Sequence, residues 1–200
     1  MELGWFLSLL TFLWIAAVTP GPNNMLLTSS TANFGFVRSL PLMIGIMLGM
    51  QLLLLLVAAG VGTLLLAYPP VHMGLKIAGS LYLVWLAWKM ASARYEKLET
   101  DKGAPKPVRL YQGLLLQALN PKAWLMGIGS VASYSLPGDL YGSSVVAMSV
   151  AMCSVNLVAG VIWMGFGSGI GRFLRSRRAW VIFNVTMGML TAGCAALIWM

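Results

Sequence analysis

The chain has 200 residues, 59% of them hydrophobic and only 9% charged, with a formal net charge of +8. Apolar content at that level excludes a soluble globular domain and implies membrane helices, since roughly 20 apolar residues suffice to cross the hydrocarbon core. The positive balance does not imply a nucleic-acid partner, because the cations fall in loops between apolar runs, where the positive-inside rule accounts for them.

In chain order the pattern predicts an all-α membrane protein with six transmembrane helices. Residues 1–18 have the apolar run of a signal peptide, but Glu2 stands where a basic n-region belongs and more membrane sequence follows. The stretch therefore reads as a retained first helix. The first span covers about 3–27, interrupted by Pro20 and Pro22, and a polar turn over 30–39 ends in Arg38. The second span covers about 40–67, a tight turn at 68–70 follows, and the third covers about 71–90. Residues 91–109 form a long hydrophilic loop. The fourth span covers about 110–134, a turn at 135–139 follows, and the fifth and sixth cover about 140–169 and 179–200.

Arg38, the cluster Lys89, Arg94, Lys97, Lys102, Lys106 and Arg109, and the cluster Arg172, Arg175, Arg177 and Arg178 follow spans one, three and five. Basic loops that alternate in this way share the cytoplasmic side, which places both termini outside the cytoplasm. The 200 residues then form one transmembrane domain. A first three-helix repeat (1–90) and a second (110–200) flank the cytoplasmic loop 91–109, and an odd number of spans per half gives the halves opposite orientation. Proline-broken helices one and four stand at matching places in the two halves, the pattern of an inverted-repeat transporter with its site near the midplane.

The breaks carry the chemistry. The uncharged stretch 3–37 would make a helix about 52 Å long, against a hydrocarbon core of about 30 Å. Within Thr19-Pro20-Gly21-Pro22-Asn23-Asn24, each proline removes a backbone donor and clashes with the preceding turn, and Thr19 and Gly21 are pushed away from α geometry. Broken backbone at membrane depth is tolerated where it packs in protein or lines a cavity. In the fourth span, Asn120-Pro121 is a helix-start signal, Asn as cap and Pro at the first helical position. It lies about 15 Å along the span, with Lys122 about 18 Å along. Two restarted helices can aim their positive ends at one cavity, with Lys122 beside them, an arrangement that suits a carboxylate. The carbonyls at the preceding helix ends suit an ammonium, so the pair fits a zwitterion.

Asn23, Asn24, Asn120 and Lys122 are the candidate substrate contacts, with Thr19 beside them; Pro20, Gly21, Pro22 and Pro121 shape the breaks. The bland alternative is that the prolines are kinks and that Lys122 snorkels or meets a carbonyl. Gln51, Gln117 and Asn156 are candidate cavity-lining amides that could equally hydrogen-bond between helices, as could Asn184. No Asp or Glu falls within a span, one His and two distant Cys make no metal site, and no P-loop is present. No cofactor, metal or catalytic residue is expected, and the chain is not read as an enzyme.

The stretch 19–24 followed by Gly35 and Gly45-xxx-Gly49, the run 76–89 around Gly79, Tyr82 and Trp88, and Gln112-Gly113 before Asn120-Pro121-Lys122 together resemble the LysE/RhtB family of amino-acid exporters. The resemblance covers essentially the whole chain. It implies a six-span secondary transporter of the bacterial inner membrane that exports amino acids by alternating access, coupled to protons. The double Asn after Pro22 and the short length most resemble the cysteine and O-acetylserine branch; homoserine- or threonine-like substrates are the neighbouring choice. Some relatives carry an acidic residue in the regions where this chain has Gln51 and Asn23, which argues against cationic substrates such as lysine and leaves the proton carrier unidentified, Lys122 being one residue that could serve. The partners expected are a small amino acid and membrane lipid, with a homodimer the assembly to consider. The competing readings are a cation or metal exporter on a similar scaffold and a non-transporting membrane subunit.

Overall fold

The computed structural model describes residues 2–62, 67–92, 108–174, 176–196 and 199. The expected end of the second span, most of the hydrophilic loop and Arg175 lie outside them. Among the described residues the regular structure is helical and no strand occurs. The helices are α1 (Leu3–Val18), α2 (Pro22–Phe34), α3 (Phe36–Ala58), α4 (Pro69–Ala91), α5 (Leu110–Leu119), α6 (Pro121–Tyr134), α7 (Tyr141–Phe173) and α8 (Arg177–Ala196), with a 3-10 turn over Gly138–Leu140 before α7.

Three of the described segments are long and apolar enough to cross a membrane: Phe36–Ala58, Gly138–Phe173 and Arg177–Ala196. A fourth is the pair α1 and α2, bent by 55° at its break and counted as one span. The α5 helix is apolar but only 10 residues long, because Asn120 and Pro121 end it.

One expectation is corrected. Residues 30–34 are not a polar turn but the last turns of α2, and the change of direction is compressed into Gly35. Gly35 adopts φ 84°, a left-handed conformation that glycine enters without steric cost. The hydroxyls that imitate a turn in sequence are buried. Thr31 donates to Leu27 O at 2.6 Å, Ser30 and Ser39 share a hydrogen bond of 2.8 Å, and Thr28 donates to Trp163 O on α7. Asn33 and Asn184 exchange amide hydrogen bonds of 2.9 and 3.2 Å, tying α2 to α8. Polarity here is a buried helix face met by polar partners, which a helix inside a membrane protein requires.

Two apolar clusters form the core. One gathers Leu9, Leu13, Met50, Leu54, Met126 and Met152, from α1, α3, α6 and α7. The other gathers Leu26, Leu42, Leu83, Leu86 and Leu116, from α2, α3, α4 and α5. Each broken pair therefore contributes one helix to each cluster, and both breaks fall on the seam between them. Helix packing around the second cluster is close. A Cβ on Gly45 would lie 2.0 Å from Leu110 O, and one on Gly167 would lie 2.4 Å from Thr28 O, so α3 against α5 and α7 against α2 meet through glycine.

Candidate functional site

The first break consists of Thr19, Pro20 and Gly21. Pro20 and Pro22 supply no N–H, so the last carbonyls of α1 cannot be met by the helix that follows. Thr19 closes the end in part, its N–H reaching Ile15 O at 3.2 Å and its hydroxyl donating to the same carbonyl. Asn24 does the rest from the first turn of α2: its Nδ2 donates to Ala17 O at 2.8 Å and to Thr19 O at 3.0 Å. A second donor reaches Thr19 O from across the seam, the Lys122 Nζ at 2.7 Å. The N-terminus of α2 has Gly21 at its cap position and no side-chain cap. Its leading N–H groups face the break without a partner from their own turn.

The second break is a single residue. Asn120 leaves helical geometry at φ −97°, ψ 108°, and its Oδ1 accepts from Lys122 N at 3.1 Å, capping α6. The carbonyl of Ala118 receives the Trp124 indole N–H at 2.8 Å, and Gln117 O receives Asn120 N at 3.3 Å. These groups close the second break within its own few residues.

An amide cluster joins the two. Asn23 Nδ2 donates to Gln117 Oε1 at 3.0 Å and Gln117 Nε2 returns a bond to Asn23 Oδ1 at 3.0 Å. The Asn120 Nδ2 adds a longer bond to Asn23 Oδ1 at 3.4 Å. Beside this cluster lies a cavity walled by Gly21, Pro22, Asn23 and Asn24 from the first break, Asn120 and Lys122 from the second, and Asn156 from α7. Apolar walls come from Ala16, Leu27, Ile46, Met50 and Met126. Its volume is about 40 Å³, room for a few water molecules and not for a peptide.

The predicted residues are thus brought together unevenly. Asn23, Asn24, Asn120 and Lys122 converge on the cavity with Gly21 and Pro22. Thr19 is not among the walls and reaches the site through its carbonyl, which accepts from the wall residue Lys122, and Pro20 and Pro121 act on the backbone without forming walls. Asn156 lines the cavity while its Nδ2 donates to Met152 O at 2.9 Å in its own helix. Gln117 stands behind Asn23. Gln51 does not line the cavity: its Nε2 donates to Ser149 O at 3.2 Å and its Oε1 accepts from the Ser149 hydroxyl, an α3–α7 tie. Sequence reasoning missed Trp124, whose indole closes the second break; an indole four residues after a mid-span Asn-Pro is the signal that could have found it. Among the described residues no three His, Cys, Asp or Glu side chains come together as a metal site.

The family model described as LysE type translocator matches residues 14–200. The chain is 33% identical over 187 residues to proteins named cysteine/O-acetylserine efflux protein from Escherichia coli strain K12, Escherichia coli O1:K1 and Shigella flexneri, covering 92% of each chain. No solved structure matches it significantly. A helical membrane chain that matches this family model from residue 14 to its last residue belongs to the LysE type translocator family.

Proposed function

We propose that the chain is a secondary transporter that exports small neutral amino acids or their derivatives across the bacterial inner membrane. Cysteine and O-acetylserine are the leading substrates and homoserine or threonine the neighbouring ones. The observation that carries the reading is the cavity between the two breaks, where an uncapped helix N-terminus and a helix carbonyl end face one small space. The N-terminus favours a carboxylate and the carbonyl end an ammonium. Asn23 and Asn120 offer amides that can donate or accept. The named relatives move such zwitterions, and export as the direction follows from their names.

Six crossings in two inverted halves account for the packing. The pair α1–α2 lies against α7, and the pair α5–α6 lies against α3, so each broken span packs on the middle span of the opposite half. In this reading α4 and the pair α5–α6 complete the six spans, the basic loops lie in the cytoplasm and both termini lie outside. Alternating access is a rocking of the two halves against one another about the seam that holds the breaks, driven by the proton gradient.

The test is efflux from liposomes holding the purified protein, loaded in turn with cysteine, O-acetylserine, threonine and lysine, with and without a pH gradient. The expected result is efflux of the neutral amino acids, faster with the gradient, and no efflux of lysine. Efflux of lysine alone, or of none of the four, overturns the reading.

A further inference from the structure

Among the described residues that wall the cavity, Lys122 is the one charged side chain, and it is already engaged. Its Nζ sits 2.7 Å from Thr19 O, at the carbonyl end of α1, the place that the zwitterion reading above gives to the substrate's ammonium. We propose that Lys122 is a tethered occupant of that ammonium position. Its side chain fills the carbonyl end of α1 while the carrier is empty, and the α-ammonium of an arriving amino acid displaces it.

The geometry around the lysine supports a movable occupant over a fixed strut. The neutral donors that α1 needs are supplied without it, since Asn24 reaches both Ala17 O and Thr19 O. What Lys122 adds is a positive charge at the negative end of the helix dipole. Gly21 lies directly beneath the lysine: a Cβ there would fall 3.1 Å from Lys122 Cδ and 3.2 Å from Nζ. Gly21 is extended, φ −172° and ψ 177°, a conformation open to any residue, so the absent side chain serves clearance for the lysine and not backbone freedom. The side chain springs from the first turn of α6 and carries four methylenes, and the same cavity borders the uncapped N-terminus of α2. An ammonium released from Thr19 O therefore stays within the space where the substrate's carboxylate is held, and it changes partner from backbone carbonyl to carboxylate.

A functional consequence follows. A carrier that must return empty needs its ammonium position filled at each step, because the negative end of the α1 dipole in a low-dielectric interior favours a full positive charge beyond the neutral donors of Asn24. Lys122 fills it. Without the lysine the position is filled only when an amino acid is bound, so the loaded carrier still turns over while the empty one stalls.

The inference rests on the exporter reading, and two measurements keep the two apart. In liposomes, net efflux of O-acetylserine into amino-acid-free buffer is compared with its exchange against O-acetylserine on both sides, for wild type and Lys122→Met. Net efflux is expected to fall at least tenfold more than exchange. Equal loss of both, or no change in net efflux, overturns the proposal. The second measurement needs no transport. Methylammonium is expected to raise the unfolding temperature of detergent-purified Lys122→Ala well above any shift in wild type, where the position is filled, and tetramethylammonium, which has no N–H, to leave it unchanged. Equal shifts in both proteins overturn the proposal. Should Lys122→Ala not purify, Lys122→Gln, which keeps a donor but no charge, takes its place in the same comparison. A wild-type protein that moves no amino acid would sink the exporter reading, and the methylammonium comparison would still decide whether the end of α1 is an ammonium position.

Discussion

The two breaks solve the same problem in different ways. At the second, Asn120, Trp124 and the backbone of Gln117 satisfy the interrupted helix from within residues 117–124. At the first, the wider gap over Thr19, Pro20 and Gly21 leaves more carbonyls than Thr19 can serve. Asn24 supplies a neutral donor to both Ala17 O and Thr19 O, and Lys122, 103 residues away, adds a charged one at Thr19 O. A self-contained break behaves as a stable corner. A break that borrows a donor from the other half is coupled to that half, and any motion of one half against the other changes what its carbonyls see.

Substitutions can break this contrast, and they rank by how much buried polarity they orphan. The largest expected effect is Asn24→Leu, which removes both bonds to the end of α1 while keeping volume. Thr19 O keeps Lys122, so the carbonyl orphaned is Ala17 O. A buried group left without its partner costs about 1–3 kcal/mol, so stability should fall by about 2 kcal/mol and efflux be abolished, read by thermal unfolding in detergent and by liposome flux. Next is Asn120→Ala, which removes the α6 cap at a cost of about 1 kcal/mol. The protein should remain folded while efflux falls at least tenfold, because the same amide reaches Asn23 at the cavity. A smaller effect belongs to Gln117→Leu. Interhelical side-chain hydrogen bonds inside membranes average about 0.6 kcal/mol, so unfolding should shift by a degree or two while Asn23, freed of its partner, alters the apparent affinity for substrate more than the maximal rate. The smallest effect on transport is expected for Gln51→Leu, which severs the Ser149 tie outside the cavity: stability drops by under about 1 kcal/mol and efflux stays within twofold of wild type. If Gln51→Leu impaired efflux as severely as Asn120→Ala, the cavity between the breaks would lose its special standing.

Much of this architecture is legible in the residues. Prolines at 20, 22 and 121 locate the breaks because a missing N–H acts wherever it occurs, and the Asn-Pro pair announces its own cap. The extent of α2 is not legible, since Thr28, Ser29, Ser30 and Thr31 have the composition of a turn. Only the partners across the fold, Trp163, Asn184 and Ser39, reveal a buried helix face. The same limit hides the pairing of Gln51 with Ser149 and that of Lys122 with Thr19 O. Hydropathy registers that a side chain is polar, but the partner that satisfies it lies about a hundred residues distant. The sequence places Lys122 at the cavity on charge and depth and offers a carbonyl as one partner for it; that the carbonyl is Thr19 O is a tertiary fact.

The central claim is that the seam between the breaks holds the transported amino acid. Its most direct test places a cysteine at Ala16, a wall of the cavity, in a background where Cys153 and Cys194 are Ser, and follows its modification by methyl methanethiosulfonate with and without saturating O-acetylserine. The account predicts that O-acetylserine slows modification at least fivefold and that Asn120→Ala removes this protection. Equal rates with and without the amino acid, in a protein that still exports it, would place the substrate elsewhere and contradict the account.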